Sequence, residues 1–240
     1  MILVNEIFGP TFQGEGRNAG KQVIFIRLAG CNLACIWCDT PYTWNWTGTH
    51  FKHPEKFDIS LEAHKMTVDQ ILVALFKYKE VKSVVISGGE PLLQYNALLP
   101  LLETLRKMDY YIEIETNGTI FPSETFLNFC DQINCSPKLS TSGPDNTEDI
   151  RFKKDVLEKF AQRKNVDFKF VVSDNNDYWE IITMIWQIQI QYENVFLMAE
   201  GRTREEQLER QIQVEVFCKK TGINFSPRLQ VIQYGNTRGV

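Results

Sequence analysis

Three cysteines lie close together near the start of the chain, in the segment Cys31-Asn-Leu-Ala-Cys35-Ile-Trp-Cys38. Gly30 precedes this segment and Pro41 follows it, and these two residue types favour a loop over a helix. Three thiolates on one short loop can converge on a single inorganic centre. Four thiolates usually hold a four-iron cluster, so three would leave one iron with an open coordination position. An open position on a metal site is where an external ligand binds.

Two other interpretations of the cysteines stay open from the spacing alone. A zinc ion could be held by the three thiolates and one remote ligand. The cysteines could also be buried side chains without any metal, since unligated cysteine is a common core residue. The remaining cysteines show no such spacing and are predicted to be structural: Cys130, Cys135 and Cys218.

The rest of the chain alternates between apolar runs typical of strands and amphipathic patterns typical of helices. The predicted strands are residues 23–28, 84–87, 110–115, 132–135, 168–172 and 194–198. Capping boxes that begin at Thr67, Asp177 and Thr203 predict helix starts. About six strand–helix units indicate a parallel sheet and are too few for a closed eight-stranded barrel. We therefore predict an open, curved α/β partial barrel of the (β/α)6 type, with functional residues at the carboxyl ends of its strands.

The length and composition are those of one ordinary globular domain spanning residues 1–240, with 43% hydrophobic residues. Residues 43–66 interrupt the strand–helix rhythm and are predicted to be an insertion after the cysteine loop. Its aromatic residues Trp44, Trp46 and Phe51 could make it a lid, a dimer contact or a partner surface. Its histidines are predicted to lie on the surface: His50, His53 and His64.

The net charge of −4 gives no positive field that would mark nucleic acid as a partner. No run approaches the roughly 18 apolar residues of a membrane span. The first residues have no basic segment followed by a long apolar run, so no signal peptide is visible. The sequence therefore predicts a cytoplasmic protein without a nucleic-acid or membrane partner, whose cysteines stay mostly reduced.

The C-x3-C-x2-C loop after a strand resembles the signature of radical S-adenosylmethionine (SAM) enzymes. Gly88-Gly89-Glu90-Pro91, after the next predicted strand, resembles the second hallmark of that superfamily, which binds the amino group of SAM. Within the superfamily, the chain resembles the 7-carboxy-7-deazaguanine synthase family. The motifs that carry this resemblance follow the order of that family, at residues 6–16, 25–31, 37–40, 114–118, 136–138 and 235–240.

The resemblance implies a lyase that rearranges 6-carboxy-5,6,7,8-tetrahydropterin into 7-carboxy-7-deazaguanine and releases ammonia, in the biosynthesis of deazapurines such as queuosine. It implies a 4Fe-4S cluster, SAM and Mg²⁺ as cofactors. A 5′-deoxyadenosyl radical would take the hydrogen at C6 of the substrate, and SAM would be regenerated after ring contraction. The implied partners are a one-electron donor such as flavodoxin or ferredoxin and a second copy of the chain in a homodimer.

The resemblance also assigns site residues by position. Cys31, Cys35 and Cys38 would hold the cluster, and Thr40 would be the protein ligand to Mg²⁺. The residues implied to contact substrate are Phe12, Gln13, Gly14, Glu15, Arg27 and Ser87. Those implied to contact SAM are Trp37, Cys38, Asp39, Gly89, Ser136, Pro137 and Lys138. Weaker candidates are Glu115, Asn117, residues 198–201 and Val240.

Several of these residues also have ordinary structural interpretations. Arg27 lies in an apolar strand, where an unpaired charge would be costly. A bidentate bond to the substrate carboxylate would offset that cost, and so would an ion pair with a buried Asp or Glu. By residue type alone, Thr40 is a turn residue and Lys138 a surface cation.

Two rival functions remain open. A glycyl-radical activase shares the C-x3-C-x2-C spacing and acts on a protein, but it would not need Arg27 or the Gln13-Gly-Glu-Gly16 segment. A non-catalytic zinc or electron-transfer module would also use a three-cysteine loop.

Overall fold

One mixed β-sheet of nine strands runs through the chain in a computed structural model that describes residues 1–49 and 56–240. The strands in this part of the chain are β1 (Ile2–Phe12), β2 (Gln22–Leu28), β3 (His64–Met66), β4 (Ser83–Gly88), β5 (Tyr111–Thr116), β6 (Gln132–Cys135), β7 (Val166–Val172), β8 (Val195–Ala199) and β9 (Asn224–Phe225). The helices are α1 (Ile59–Glu62), α2 (Val68–Phe76), α3 (Tyr95–Lys107), α4 (Glu124–Asn128), α5 (Glu148–Arg151), α6 (Lys154–Ala161), α7 (Asn175–Ile188), α8 (Arg204–Thr221) and α9 (Leu229–Tyr234).

The strand order is β3-β1-β2-β4-β5-β6-β7-β8-β9, and every neighbouring pair from β2 to β9 is parallel. β1 is antiparallel to both β2 and β3, so β3 forms one edge of the sheet and β9 the other. The sheet does not close on itself. The predicted open α/β partial barrel is confirmed, with an antiparallel extension at one edge.

The antiparallel strands β1 and β3 and the parallel edge strand β9 were not among the predicted strands. β1 contains Gly9 and Pro10, and these two residue types normally end a strand. Here the strand continues, because its pairing with β2 shifts register between Phe8 and Thr11 and so accommodates them. β3 lies in the predicted insertion, and β9 is only two residues long.

Side chains alternate between the two faces of the sheet, as the two-residue period of a strand requires. In β7, Phe168 and Phe170 belong to the main hydrophobic core, which also includes buried side chains of the helices. Asp167 and Lys169 point to the opposite, inner face of the partial barrel, where they contact polar side chains. The inner face is therefore the polar one, and it carries the residues that can do chemistry.

The capping boxes at Thr67 and Thr203 begin α2 and α8 as predicted. The helix predicted to begin at Asp177 is α7, and it begins three residues earlier. Its cap is Asp174, and Asp177 is the box partner that accepts the Asp174 backbone N–H. The run around Val231 and Ile232, with its strand-like alternation, forms the short helix α9.

The structure describes residues 43–49 and 56–66 of the predicted insertion, residues 43–66. His50, Phe51 and His53 lie outside the described residues. The following residues form α1 and β3, and exposed His64 begins the β3 edge strand.

No helix in the described part of the chain has the length and apolar character needed to cross a bilayer.

Candidate active site

A pocket of about 420 Å³ opens at the carboxyl ends of the parallel strands. Each of five strands contributes a side chain from the inner face of the sheet, and these are Arg27, Ser87, Glu115, Lys169 and Met198. Residues after β1, β2, β4, β5, β6 and β8 and the segment after β9 complete the wall. The structure thus places this pocket at the edge of the sheet where the sequence predicts function.

The pocket gathers nearly all the residues predicted for the cluster, SAM, Mg²⁺ and substrate. Those that line it are Phe12, Gln13, Gly14, Glu15, Arg27, Cys31, Cys35, Trp37, Cys38, Asp39, Thr40, Ser87, Gly89, Ser136 and Lys138. Pro137 is not part of the lining. It is buried between Ser136 and Lys138, so the two neighbours face the pocket while Pro137 packs into the protein. The candidates Glu115, Asn117, Met198, Glu200 and Val240 also line it.

Each thiol of the cysteine loop accepts a hydrogen bond from a nearby N–H group. The Leu33 backbone N–H donates to Cys31 Sγ (3.5 Å), and the Asn146 side-chain amide donates to Cys35 Sγ (3.3 Å). The Trp44 indole N–H donates to Cys38 Sγ (3.3 Å). All three cysteines are free, and all three line the pocket. Hydrogen bonds to sulfur stabilise a thiolate and tune the iron–sulfur centre that it holds. The loop is therefore prepared to hold a centre at the pocket wall.

Burial raises the pKa of all three thiols, that of Cys35 to about 12, so thiolates here need a cationic centre to compensate them. Within the described residues, no three His, Cys, Asp or Glu side chains are placed to hold one metal ion. The zinc interpretation needs such a group. A cube-shaped cluster bonds each thiolate through a different iron, so its ligands spread more widely. The donor set therefore fits a 4Fe-4S cluster better than a zinc ion.

The Gly88-Gly89-Glu90-Pro91 turn is held in place by Glu90. Its buried carboxylate accepts hydrogen bonds from Leu92 N (2.9 Å), Thr116 Oγ1 (2.8 Å) and Asn117 N (2.6 Å). Burial raises the pKa of Glu90, although these donors act against the rise. The carboxylate is therefore occupied inside the protein, and the part of this turn that lines the pocket is Gly88 and Gly89.

Glycine is required at position 89. A Cβ atom there would lie 2.1 Å from the carbonyl oxygen of Gly30, which is far inside van der Waals contact. The close approach lets Gly89 N donate to Leu28 O (3.1 Å) and Glu90 N to Gly30 O (2.8 Å). The turn is thereby fixed against the start of the cysteine loop.

Gly89→Ala is expected to lower the free energy of unfolding by about 1–3 kcal/mol, because backbone must move to admit the methyl group. The displaced turn should also weaken SAM binding. Denaturant melts and SAM titration of the reconstituted protein measure the two effects. Gly20→Ala is the control, since its Cβ would meet no atom within 4 Å and only its left-handed backbone (φ +88°) is strained. Wild-type SAM affinity in Gly89→Ala would contradict the close-approach argument.

A charged cluster lies beside the cysteine loop. Lys169 Nζ binds Glu15 Oε2 (3.0 Å) and Glu115 Oε1 (3.1 Å), and Arg228 Nε binds Glu15 Oε1 (3.0 Å). Burial alone would raise the pKa of Glu15, but Lys169 and Arg228 outweigh it and hold that pKa far below its usual range. Burial would lower the pKa of Lys169, and Glu115 and Glu15 raise it instead. Glu15 and Lys169 therefore stay ionised.

Gln13 supports the pocket from within the protein. Its side-chain amide donates to Glu113 Oε1 (2.5 Å) and Glu115 Oε1 (3.3 Å), and its Oε1 accepts from Glu15 N (3.2 Å). Ser87 Oγ donates to the other oxygen of Glu115 (2.7 Å). The polar atoms of Gln13 are thus engaged in the protein rather than presented to the cavity.

Arg27 is paired through one nitrogen only. Its Nε donates to Glu6 Oε1 (2.8 Å), and its guanidinium lies 5.4 Å from the ring centre of Phe8 and 5.9 Å from that of Phe25. This is the structural ion pair that was one of the two interpretations of Arg27. The two terminal nitrogens make no hydrogen bond with the described residues. They therefore remain available to donate hydrogen bonds to a carboxylate in the pocket.

The remaining predicted residues contact the same region. Thr40 Oγ1 lies 3.7 Å from Cys38 Sγ, and the Trp37 indole donates to Thr141 O (3.1 Å). Lys138 Nζ donates to Ser136 O (2.6 Å) and Ser136 Oγ (2.9 Å). Lys138 is therefore held over the pocket and is not a free surface cation.

Two residues of this charged cluster, Lys169 and Arg228, were not predicted as functional from the sequence. The signal for Lys169 was present, since it interrupts an apolar strand just as Arg27 does. Arg228 follows the last short strand and has no such signal.

Comparison with known proteins identifies the family. Residues 25–138 match the Radical SAM superfamily. The 7-carboxy-7-deazaguanine synthase of Halobacterium salinarum is 33% identical, over 96% of this chain and 89% of the relative. That of Pyrobaculum aerophilum is 33% identical over 99% and 97%, and that of Bacillus cereus is 30% identical over 100% and 99%. The chain belongs to the 7-carboxy-7-deazaguanine synthase family.

It is therefore a radical SAM enzyme, and its cofactors are a 4Fe-4S cluster and SAM. A crystal structure of QueE from Escherichia coli has the same fold, with a TM-score of 0.67 and 24% identity over 94% of this chain and 92% of that one. Full-length similarity to the 7-carboxy-7-deazaguanine synthase family also favours this family over a glycyl-radical activase or a non-catalytic metal module.

Proposed function

We propose that this member of the 7-carboxy-7-deazaguanine synthase family converts 6-carboxy-5,6,7,8-tetrahydropterin to 7-carboxy-7-deazaguanine and releases ammonia. The observation that carries the proposal is the position of Arg27, whose terminal nitrogens are available in the same pocket as the cysteine loop. A guanidinium fork matches a carboxylate in two parallel hydrogen bonds. The aromatic side chains of Phe8, Phe25 and Tyr42 line the same pocket and suit a flat ring.

Cys31, Cys35 and Cys38 would hold the cluster, with their N–H donors orienting the sulfurs. When bound, the cluster and SAM supply a carbon-centred radical that can take a hydrogen atom from the substrate. The chain's own residues hold the reactants and exclude water. This division of work is general for cofactor enzymes, in which the protein supplies binding and orientation.

Glu15 would accept hydrogen bonds from the N–H groups at the amidine-like edge of the pterin. A carboxylate has about four acceptor sites, and Lys169, Arg228 and Gln230 use three of those on Glu15. Its lowered pKa keeps the remaining site an acceptor. Phe12, Gly14 and Ser87 would complete the substrate wall, with Gln13 as support.

The SAM subsite would lie along the cysteine loop and the following strand ends. Its residues would be Trp37, Cys38, Asp39, Gly89, Ser136 and Lys138. Lys138 would exchange its bonds to Ser136 for the carboxylate of SAM. Pro137 would shape the turn between them without contacting the ligand.

Thr40 would be the protein ligand to Mg²⁺, with substrate oxygens and water completing the shell, an arrangement Mg²⁺ commonly accepts. Thr40→Ala should therefore reduce the stimulation of turnover by Mg²⁺ by about tenfold, with SAM binding unchanged. Rates measured across a Mg²⁺ titration test this. Thr141→Ala, outside the pocket lining, is the control. A full Mg²⁺ response in Thr40→Ala would remove Thr40 as the ligand.

We also propose that the enzyme receives its electron from a donor such as flavodoxin or ferredoxin. We propose further that it forms a homodimer and that it is located in the cytoplasm. Free cysteines suit a reducing compartment. Leu208, Ile212 and Val216 form an exposed apolar stripe on one face of α8, which suits contact with a second chain. Light scattering during size-exclusion chromatography measures the oligomeric state.

The test of the proposed reaction is turnover by anaerobically reconstituted protein. The protein is incubated with the carboxytetrahydropterin, SAM, Mg²⁺ and dithionite, and product and ammonia are quantified. We expect both in equal amounts. SAM cleavage without any deazaguanine product would contradict the substrate assignment.

A further inference from the structure

The segment after β9 is bound along the loop after β1. We define the C-terminal clamp as residues 226–230 and the N-terminal loop as residues 13–16. Four hydrogen bonds join them, from Gly16 N to Ser226 Oγ (2.8 Å), from Leu229 N to Gly14 O (3.0 Å), and from Arg228 Nε (3.0 Å) and Gln230 Nε2 (2.7 Å) to Glu15 Oε1. The clamp therefore fixes both the backbone and the carboxylate of the N-terminal loop.

Arg228, in the middle of the clamp, reaches three separate parts of the pocket. Its Nε donates to Glu15 Oε1 (3.0 Å), one terminal nitrogen donates to Gly201 O (2.8 Å), and the other donates to Asp39 Oδ2 (2.5 Å). Asp39 belongs to the cysteine loop, and Gly201 follows β8. One guanidinium thus links the loop proposed to bind substrate to the loop proposed to bind SAM.

These contacts need arginine in particular. The guanidinium is a rigid planar fork that can donate in several directions, whereas a lysine ammonium is one compact charge on a flexible stem. Burial would lower the pKa of Arg228, but Asp39 and Glu15 raise it, so the bridge is permanently charged. A displacement of the Glu15 carboxylate would therefore move the Arg228 guanidinium and, through it, the Asp39 carboxylate.

We propose that Arg228 is a positioning residue that couples the substrate loop to the SAM loop. Bound substrate fixes Glu15, Glu15 fixes the guanidinium, and the guanidinium fixes Asp39 at the SAM subsite. Coupling of this kind is reciprocal, so SAM also favours the substrate-binding arrangement of the N-terminal loop. The inference rests on the proposed function for the identity of the two ligands, but the link itself depends only on contacts within the chain.

Arg228→Lys in the reconstituted holoenzyme tests the coupling. We expect about a tenfold rise in 5′-deoxyadenosine released per deazaguanine formed, because SAM is then cleaved without a correctly placed substrate. Arg163→Lys, which alters a surface pair with Glu124, is the matched control and should keep the wild-type ratio. An unchanged ratio in Arg228→Lys would overturn the proposal.

Hydrogen–deuterium exchange gives a second readout that needs no turnover. In Arg228→Lys, peptides covering residues 13–20 and 31–44 should both exchange faster, while the core strands stay protected. Gln230→Ala removes contacts to Gly14 and Glu15 and leaves the bond from Arg228 to Asp39 in place, so it should loosen the first peptide alone. Faster exchange over the whole sheet, or in only one loop of Arg228→Lys, would contradict the coupling. If wild type makes no product from the pterin, the proposed function fails while exchange still decides the coupling.

Discussion

Replacing Cys35 by serine is expected to reduce product formation and reductive SAM cleavage to the level of a protein-free control. Cys35 is buried in the pocket wall and accepts a hydrogen bond from Asn146. Serine offers a hard, protonated oxygen where a soft thiolate must bind iron. Iron and sulfide analysis after anaerobic reconstitution, together with the absorbance spectrum, measures the loss of the cluster.

Cys218→Ser is the matched control for this substitution. Cys218 is also a buried, free cysteine, but it lies in α8 and its Sγ faces Asn224 O at 3.5 Å. This variant should keep a full complement of iron and its activity. A Cys35→Ser protein that retained four irons and cleaved SAM at the wild-type rate would refute the assignment of the cysteine loop.

Arg27→Ala is expected to raise the KM for the carboxytetrahydropterin at least about a hundredfold, while slow SAM cleavage without substrate continues. Two charge-assisted hydrogen bonds to the substrate carboxylate would be lost, and a hydrogen bond to a charged group contributes roughly 1.5–3 kcal/mol. Glu6, the present partner of Arg27, would keep its contacts with Arg238 and Tyr42, so the fold should survive. Steady-state kinetics with each substrate varied in turn separates the two effects.

A substrate analogue without the carboxylate sharpens this test. Wild type and Arg27→Ala should bind the analogue equally, whereas only wild type should distinguish it from the carboxylated pterin. Arg27→Lys should recover part of the affinity, since lysine keeps the charge and loses the fork. Equal KM values for the natural substrate in wild type and Arg27→Ala would show that the Glu6 ion pair is the whole role of Arg27.

Short-range motifs made much of this site predictable. The cysteine loop and the Gly-Gly-Glu-Pro turn each lie within a few residues, and each follows a strand with a clear apolar pattern. Because carboxyl ends of parallel strands share one edge, motifs far apart in the sequence had to meet there. Of the residues assigned to the cluster, SAM, Mg²⁺ and substrate, all but Pro137 line one pocket.

The partners that tune those residues were not predictable in the same way. Glu6 pairs with Arg27 because β1 lies antiparallel to β2 with these residues opposite each other. Strand β1 was not predicted, because Gly9 and Pro10 lie within it. Arg228 meets Asp39 from 189 positions away, which no local pattern signals. Lys169 could have been found by the argument applied to Arg27, a charge inside an apolar strand.

The polar inner face of the sheet explains why such distant partners are needed. Glu15, Glu115, Lys169 and Arg228 satisfy one another in a buried site, and a charge left alone there would be strongly unfavourable. The same network fixes the loops that would hold SAM and substrate. Stability of the pocket and the proposed alignment of its ligands would thus depend on the same side chains.

The proposed arrangement of the two ligands can be tested with the carboxytetrahydropterin labelled with deuterium at C6. This carbon, anchored through Arg27, would lie beside the SAM bound at the cysteine loop. We expect deuterium at the 5′ carbon of the adenosyl group of recovered SAM, measured by mass spectrometry after turnover. Formation of 7-carboxy-7-deazaguanine with no deuterium at that carbon would contradict the placement of the two ligands in this pocket.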